Sequence, residues 1–322
     1  MRICDLGGWT DTWFGGPGRV VNVAVRPGVG VSIGRTANAD AVVLDLGPTE
    51  RYGIVPGAAR RARYALPEAA IDALAPPADV GIEVRIRSAV PAGCGAGTSA
   101  AVAVAVLGGL AVLRAERWSP RDLAYAAHRL EVEVLGAESG IQDQLSAAFG
   151  GINYLEIARY PEASVRALPA WEDLGPRLSL VFVGRAHDSS SLHVQVIKHL
   201  AGHGSEALDR LRAAAVAARE AVLARDLVRF GQAMIANTDA QQALHPALVG
   251  VDARRVIDLA AEHQAVGWKI NGAGGDGGSV TVLHPTPEGK EAFETRVGDL
   301  APQYRTLPIE LSATGLGVQG TL

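Results

Sequence analysis

Pro91-Ala92-Gly93-Cys94-Gly95-Ala96-Gly97-Thr98-Ser99-Ala100 is the stretch on which the fold turns. Three glycines alternate with small residues, and two hydroxyls follow. A β-branched run at 80–86 reads as a strand before it, and an apolar run at 100–113 reads as a buried helix after it. Strand, glycine loop and helix start form an arrangement that binds phosphate. Unpaired N–H groups at the positive helix end face the anion, and glycine lets it approach. The alternative is a tight turn into a core helix. The spacing is not that of a Walker loop, because none of the three lysines follows a glycine ahead of Ser or Thr. A dinucleotide fingerprint also fits badly, because Gly93-x-Gly95-x-Gly97 has the wrong spacing. His128-Arg129-Leu130 lacks the aspartate of a protein-kinase catalytic loop.

Outward from this loop, residues 20–25, 29–33 and 41–46 read as strands. Residues 51–79 read as a surface excursion with one short helix. Ser119 is an expected N-cap, with Pro120 in the first helical position and Asp122 closing a capping box. Leu123, Ala127, Leu130 and Val134 then give that helix an apolar face, and Gly136 ends it. The second half reads as a strand at 178–183, three or four amphipathic helices within 190–263, strands at 265–270, 279–283 and 306–311, and a helix near 287–300. Proline and polar residues within 161–176 suggest a boundary, so domains of 1–170 and 171–322 are expected. Mixed elements without strict alternation favour an α+β fold.

Composition narrows the function. Glycine is 38 of 322 residues, about 12% against a usual ~7%. With 48% hydrophobic and 20% charged residues the chain is globular. A net charge of −4 argues against a dedicated nucleic-acid partner. Cys4 and Cys94, the two cysteines, exclude a disulfide framework or multi-cysteine zinc site and suit a cytoplasmic location. No signal peptide is visible, and the apolar run at 100–113 is too short to span a membrane.

Two further glycine clusters stand at the ends of the chain. Arg2-Ile3-Cys4-Asp5-Leu6-Gly7-Gly8-Trp9-Thr10-Asp11 presents a carboxylate beside a tight backbone, or simply a capped loop. Lys269-Ile270-Asn271-Gly272-Ala273-Gly274-Gly275-Asp276-Gly277-Gly278 is a hairpin loop or a second wall of one site. Glu131 and Glu133 flank the apolar face of the helix after Ser119, and periodicity does not choose between them. Asp143, within Gln142-Asp143-Gln144, is a helix cap or a functional acid. His199 and His203 have helical spacing but read as surface residues, not a zinc pair.

The three clusters, in this order, resemble the motifs of the GHMP small-molecule kinases. Arg2 and Asp11 resemble the first motif, Pro91 through Ala100 the second, and Gly272-Ala273-Gly274-Gly275 the third. Ala96 and Thr98 depart from the second motif's usual leucine and serine, and Asp276 from the third motif's glycine. The usual segment before Arg2 is nearly absent, so a short first strand or an upstream native start is expected. The resemblance implies an N-terminal domain like domain 2 of ribosomal protein S5 and a ferredoxin-like C-terminal domain. It also implies the cofactors ATP and Mg²⁺. Pro91, Gly93, Gly95, Ala96, Gly97, Thr98 and Ser99 would hold nucleotide, and Ser99 and Glu131 the metal, Glu131 being preferred by its distance from Gly136. Asp143 would be the catalytic base and Arg2 would lie near the transferred phosphoryl group. Gly8, Trp9, Thr10, Asp11, Gly272 and Gly274 would bind substrate.

Within the family, Gly7-Gly8-Trp9-Thr10-Asp11-Thr12 is similar to the L-fucokinase branch. Gln142-Asp143-Gln144 with residues 147–153 is more similar to D-glycero-D-manno-heptose 7-phosphate kinase. The implied activity is phosphorylation of the anomeric hydroxyl of a sugar or sugar phosphate, the heptose phosphate first. The implied partner is a small molecule, not a membrane or nucleic acid, and a homodimer is left open. The rival of another class is a non-catalytic sugar and nucleotide sensor that keeps the glycine loops without the acid–base residues.

Overall fold

A computed structural model describes every residue except 39–40, 48–49, 56, 62–63, 78–79, 187–188, 201–205 and 321–322, and the side chains of 189 and 190. His203 of the expected surface pair lies outside the described residues. The first sheet has the order β1-β2-β7-β8, from β1 (Arg2–Leu6), β2 (Gly18–Arg26), β7 (Ile152–Arg159) and β8 (Glu162–Leu168). A second sheet, β3-β6-β4-β5, joins β3 (Val29–Arg35), β4 (Val42–Asp45), β5 (Arg51–Ile54) and β6 (Ile82–Ser88), with β4 and β6 parallel. The third is antiparallel, order β10-β11-β9-β12, from β9 (Leu178–Phe182), β10 (Gly267–Ile270), β11 (Ser279–Leu283) and β12 (Arg305–Leu307).

Helices α1 (Ala65–Ala73), α2 (Thr98–Leu113), α3 (Pro120–Arg129) and α4 (Gln142–Phe149) share one apolar core with strands of the first two sheets. The α2 helix is alanine-rich and buried along most of its length, which fits its all-apolar sequence. Ser119 caps α3 in the expected box with Asp122. Helices α5 (Ser189–Leu200), α6 (Glu206–Ala224) and α7 (Leu227–Leu244) follow β9. The last two, α8 (Val251–Glu262) and α9 (Pro287–Leu300), pack their buried apolar residues against the third sheet.

Several expectations need correction. The excursion at 51–79 contains β5, paired with β4, and its helix α1 buries Ala69, Ala70 and Ile71 in the core. The β7–β8 hairpin occupies 152–168, where the sequence reading assigns no strand, and Pro161 sits in its turn. Both faces of β7 are buried near its start, so the alternation that signals a half-exposed strand is missing there. The strand expected at 306–311 splits: β12 pairs with β9, while β13 (Glu310–Leu311) pairs with β2 of the first sheet. Val134 is 47% exposed, because a π-helical turn over Leu130–Val134 breaks the 3.6-residue period.

Gly231 shows how closely α7 meets β10. A Cβ added there would lie 2.1 Å from the Val266 carbonyl oxygen. We therefore expect Gly231→Ala to lower the unfolding free energy by about 1–3 kcal/mol through overpacking. That outweighs the roughly 0.5–1 kcal/mol alanine gains in a helix. Urea denaturation of the whole chain measures it, and a stabilised variant would contradict the close approach.

Candidate active site

One cavity of about 410 Å³ gathers residues from all three glycine clusters. Its floor is set by Arg2 on β1. The Arg2 guanidinium donates from Nε to Asp143 Oδ1 at 2.9 Å and from Nη2 to Asp143 Oδ2 at 3.1 Å. It also donates to the Gly95 carbonyl, and the Arg2 backbone N–H donates to the Ala96 carbonyl at 3.0 Å. One side chain thus ties the first motif to the second and to α4. Such a bidentate pair fixes angle as well as distance.

Asp143 stands in the first turn of α4, whose N-cap is Ile141 and carries no side-chain cap. The cap alternative is therefore excluded: the carboxylate faces Arg2 and the cavity. Burial pushes its pKa above the usual carboxylate range, with Arg2 pulling the other way. Gly97 makes room for it. Gly97 holds φ +66°, and a Cβ there would lie 3.2 Å from the Asp143 carboxyl carbon. Glycine is required both for the left-handed backbone and for the approach. Gly97 is also the N-cap of α2, so Thr98 and Ser99 begin the helix at its positive end.

Glu131 lies in the π-helical turn after α3, and that turn aims it inward. It is buried and lines the cavity, whereas Glu133 is exposed. Its Oε2 accepts from Ser139 Oγ at 2.8 Å and from Gln144 Nε2 at 2.7 Å. Its Oε1 is buried without a hydrogen-bond partner. Burial raises its pKa to about 7. Ser99 lines the cavity as well. A carboxylate with an unused oxygen and a nearby hydroxyl fit a hard divalent cation held partly by substrate phosphates. Among the described residues no cluster of three or more His, Cys, Asp or Glu could hold a metal unaided.

Asp11 is buried, and burial raises its pKa to about 7 as well. Its Oδ2 accepts from the Gln142 backbone N–H at 3.0 Å, anchoring the start of α4. Trp9 has φ +77° and lines the cavity beside His193 of α5, ring centroids 4.7 Å apart. The third motif closes the wall through Gly272 and Ala273.

Of the residues expected at the site, Arg2, Trp9, Asp11, Gly93, Gly95, Gly97, Thr98, Ser99, Glu131, Asp143 and Gly272 line the cavity. Five do not. The buried Thr10 hydroxyl is used on the Gly7 carbonyl at 2.6 Å. Gly8 packs between Asp5 and Gln142, and Gly274 against the Leu248 carbonyl. Ala96 is buried and serves through its carbonyl, and Pro91 lies off the wall.

The sequence reading missed Asp5 and Lys269, a buried ion pair at 3.2 Å. Asp5 also accepts from the Gly272 backbone N–H at 3.1 Å. Asn237 and Gln241 of α7 add a second tie: Gly7 N–H donates to Asn237 Oδ1 at 2.6 Å, and Gln241 Nε2 to the Gly272 carbonyl at 3.3 Å. Asp5 and Lys269 do stand within the first and third glycine clusters, whereas nothing in the sequence marks Asn237 or Gln241.

Known proteins resemble this chain in sequence and in fold. The model of the GHMP kinases N terminal domain matches residues 62–151. A mevalonate kinase from Thermococcus sibiricus is 31% identical over 252 residues, covering 74% of this chain and 69% of the relative. An L-fucokinase/L-fucose-1-P guanylyltransferase from Bacteroides fragilis is 24% identical over 99% of this chain and 37% of its own length. Among solved structures, a D-glycero-D-manno-heptose 1-phosphate kinase from Bacteroides thetaiotaomicron superimposes with TM-score 0.77 at 19% identity, over 99% of this chain and 98% of that one. The chain therefore belongs to the GHMP kinase family and has its fold. No helix among the described residues is long and apolar enough to cross a membrane.

The raised carboxyls give a signed pH dependence. A buried acid with a pKa near 7 holds a proton in the folded chain that the unfolded chain releases near pH 4. Its stabilising contribution is complete below about pH 4 and is lost as pH rises through about 7. Glu131→Gln cannot ionise, so in metal-free buffer its melting temperature should gain on wild type between pH 5 and pH 8. An unchanged difference across that range would show Glu131 to be ionised throughout.

Proposed function

We propose that the chain is an ATP- and Mg²⁺-dependent kinase that phosphorylates the anomeric hydroxyl of a sugar or sugar phosphate. The Arg2–Asp143 pair, held against the glycine loop in one cavity with Asp11, carries this reading. The N-terminal end of α2, with its glycines and hydroxyls, suits the nucleotide phosphates. Glu131 and Ser99 suit Mg²⁺, which would neutralise charge on those phosphates. Residues 1–170 would supply the phosphate loop, Asp143 and the sugar-binding Asp11, and 171–322 the third motif.

In this reading Asp143 takes the proton from the anomeric hydroxyl as that oxygen bonds to the γ-phosphorus. The bond from the γ-phosphorus to the β-phosphate oxygen breaks, and ADP leaves. Arg2 holds the Asp143 carboxylate in line and places positive charge beside the transferring group. Asp11 accepts hydrogen bonds from acceptor hydroxyls. The resemblances to L-fucokinase and to heptose kinases support a sugar, and the heptose 7-phosphate is the leading acceptor by sequence motif. A second reading takes mevalonate as acceptor, favoured by the 31% identical relative.

Asp143→Asn tests the mechanism and separates enzyme from sensor. It keeps shape but loses the basic oxygen. It should lower kcat by about 10²–10⁴ while sugar and ATP dissociation constants stay within a few-fold. Near-normal turnover would remove Asp143 as the base. A wild-type protein that binds sugar and ATP without turning over any acceptor would support the sensor instead.

A further inference from the structure

The wall of the cavity bears on the charge of the acceptor, and the inference rests on the sugar-kinase reading. Five acidic side chains line it: Asp5, Asp11, Glu131, Glu138 and Asp143. Among the described residues the wall carries one arginine and no lysine. That arginine, Arg2, is committed to Asp143 and to the Gly95 carbonyl. Lys269 is buried and paired with Asp5. Glu138 lines the wall, and Trp13 Nε1 donates to its Oε2 at 2.6 Å.

The wall also holds two unused neutral groups, one on Trp9, two residues before Asp11, and one on Gln142, whose backbone N–H donates to Asp11. Trp9 is 4% exposed, and its indole Nε1 has no hydrogen-bond partner. Gln142 is 6% exposed, and its amide Oε1 has none. Both residues line the cavity. Buried polar groups left without partners are rare unless a ligand completes them. An indole N–H needs an acceptor, and an amide oxygen and the Asp11 carboxyl need donors. A hydroxyl is both at once. A phosphate or carboxylate offers only acceptors and brings negative charge toward acidic groups, with no lysine and no uncommitted arginine among the described wall residues to offset it.

We propose that the acceptor is an uncharged polyhydroxy compound, a free sugar, and not a sugar phosphate or a hydroxy acid. Trp9 Nε1 donates to one ring or hydroxyl oxygen, and Gln142 Oε1 and Asp11 accept from hydroxyls. This sets aside the heptose 7-phosphate favoured by sequence motif and the mevalonate favoured by the 31% identical relative.

Initial rates of ADP release from the full chain, with ATP and Mg²⁺, test it. The panel is L-fucose, D-galactose, D-mannose and D-glycero-D-manno-heptose, the 6- or 7-phosphates of the last three, and mevalonate. At least one free sugar should exceed every charged acceptor in kcat/KM by about 10²-fold or more. A phosphorylated sugar used as well as its free form, or better, overturns the inference and leaves the sugar-kinase reading standing. Preference for mevalonate overturns both. Turnover of no acceptor removes the kinase reading, and the inference falls with it.

Discussion

A buried arginine that makes three side-chain hydrogen bonds, to the glycine loop and to α4, holds this molecule's site together. Arg2 sits at the start of β1, reaches across to the glycine loop, and meets Asp143 on α4 with two parallel hydrogen bonds. Removing one partner of such a pair leaves an uncompensated charge, a loss of about 3–5 kcal/mol in buried settings. The geometry around it follows. Gly97 is glycine because Asp143 occupies the space of its side chain, and α2 begins where it does because Gly97 turns left-handed.

A second layer of charge sits behind the first. Asp5 and Lys269 pair between β1 and β10, and Asp5 also holds the Gly272 N–H. The β1 strand carries an irregular register between Ile3 and Leu6, with Cys4 at φ +50°. Such bulges re-aim side chains beside active sites, and this one falls next to Asp5. The third motif is thereby fixed to the first by a buried ion pair and by Asn237 and Gln241 of α7. Among the described residues Asp11 and Glu131 make no ion pair. Their raised pKa values mark the two places where a ligand hydroxyl or a metal would do the most to stabilise charge.

What the sequence made legible was local. Ser119 and Asp122 announced α3, and three alternating glycines announced the loop before α2, because caps and turns are written within a few residues. The site residues were named from the likeness of three motifs to a kinase family, and eleven of the expected side chains and glycines do share one cavity. Periodicity alone did not choose Glu131 over Glu133, since a π-helical turn shifts the register at that point. Asp5 and Lys269 are 264 residues apart in the chain, and no local pattern announces such a contact. Thr10 and Gly8 share the motif but serve its turn. A motif reading cannot separate residues that face a ligand from those that shape the backbone behind it.

The central claim is that Arg2 and Asp143 act as one unit. A double-mutant cycle on kcat, with Arg2→Gln, Asp143→Asn and the combination, tests it most directly, with circular dichroism to verify the fold of each variant. Groups that act together give non-additive losses. The double variant should therefore be no slower than the slower single variant, to within a few-fold. Losses that multiply across the two sites would show that the arginine and the carboxylate work independently, and would contradict the account.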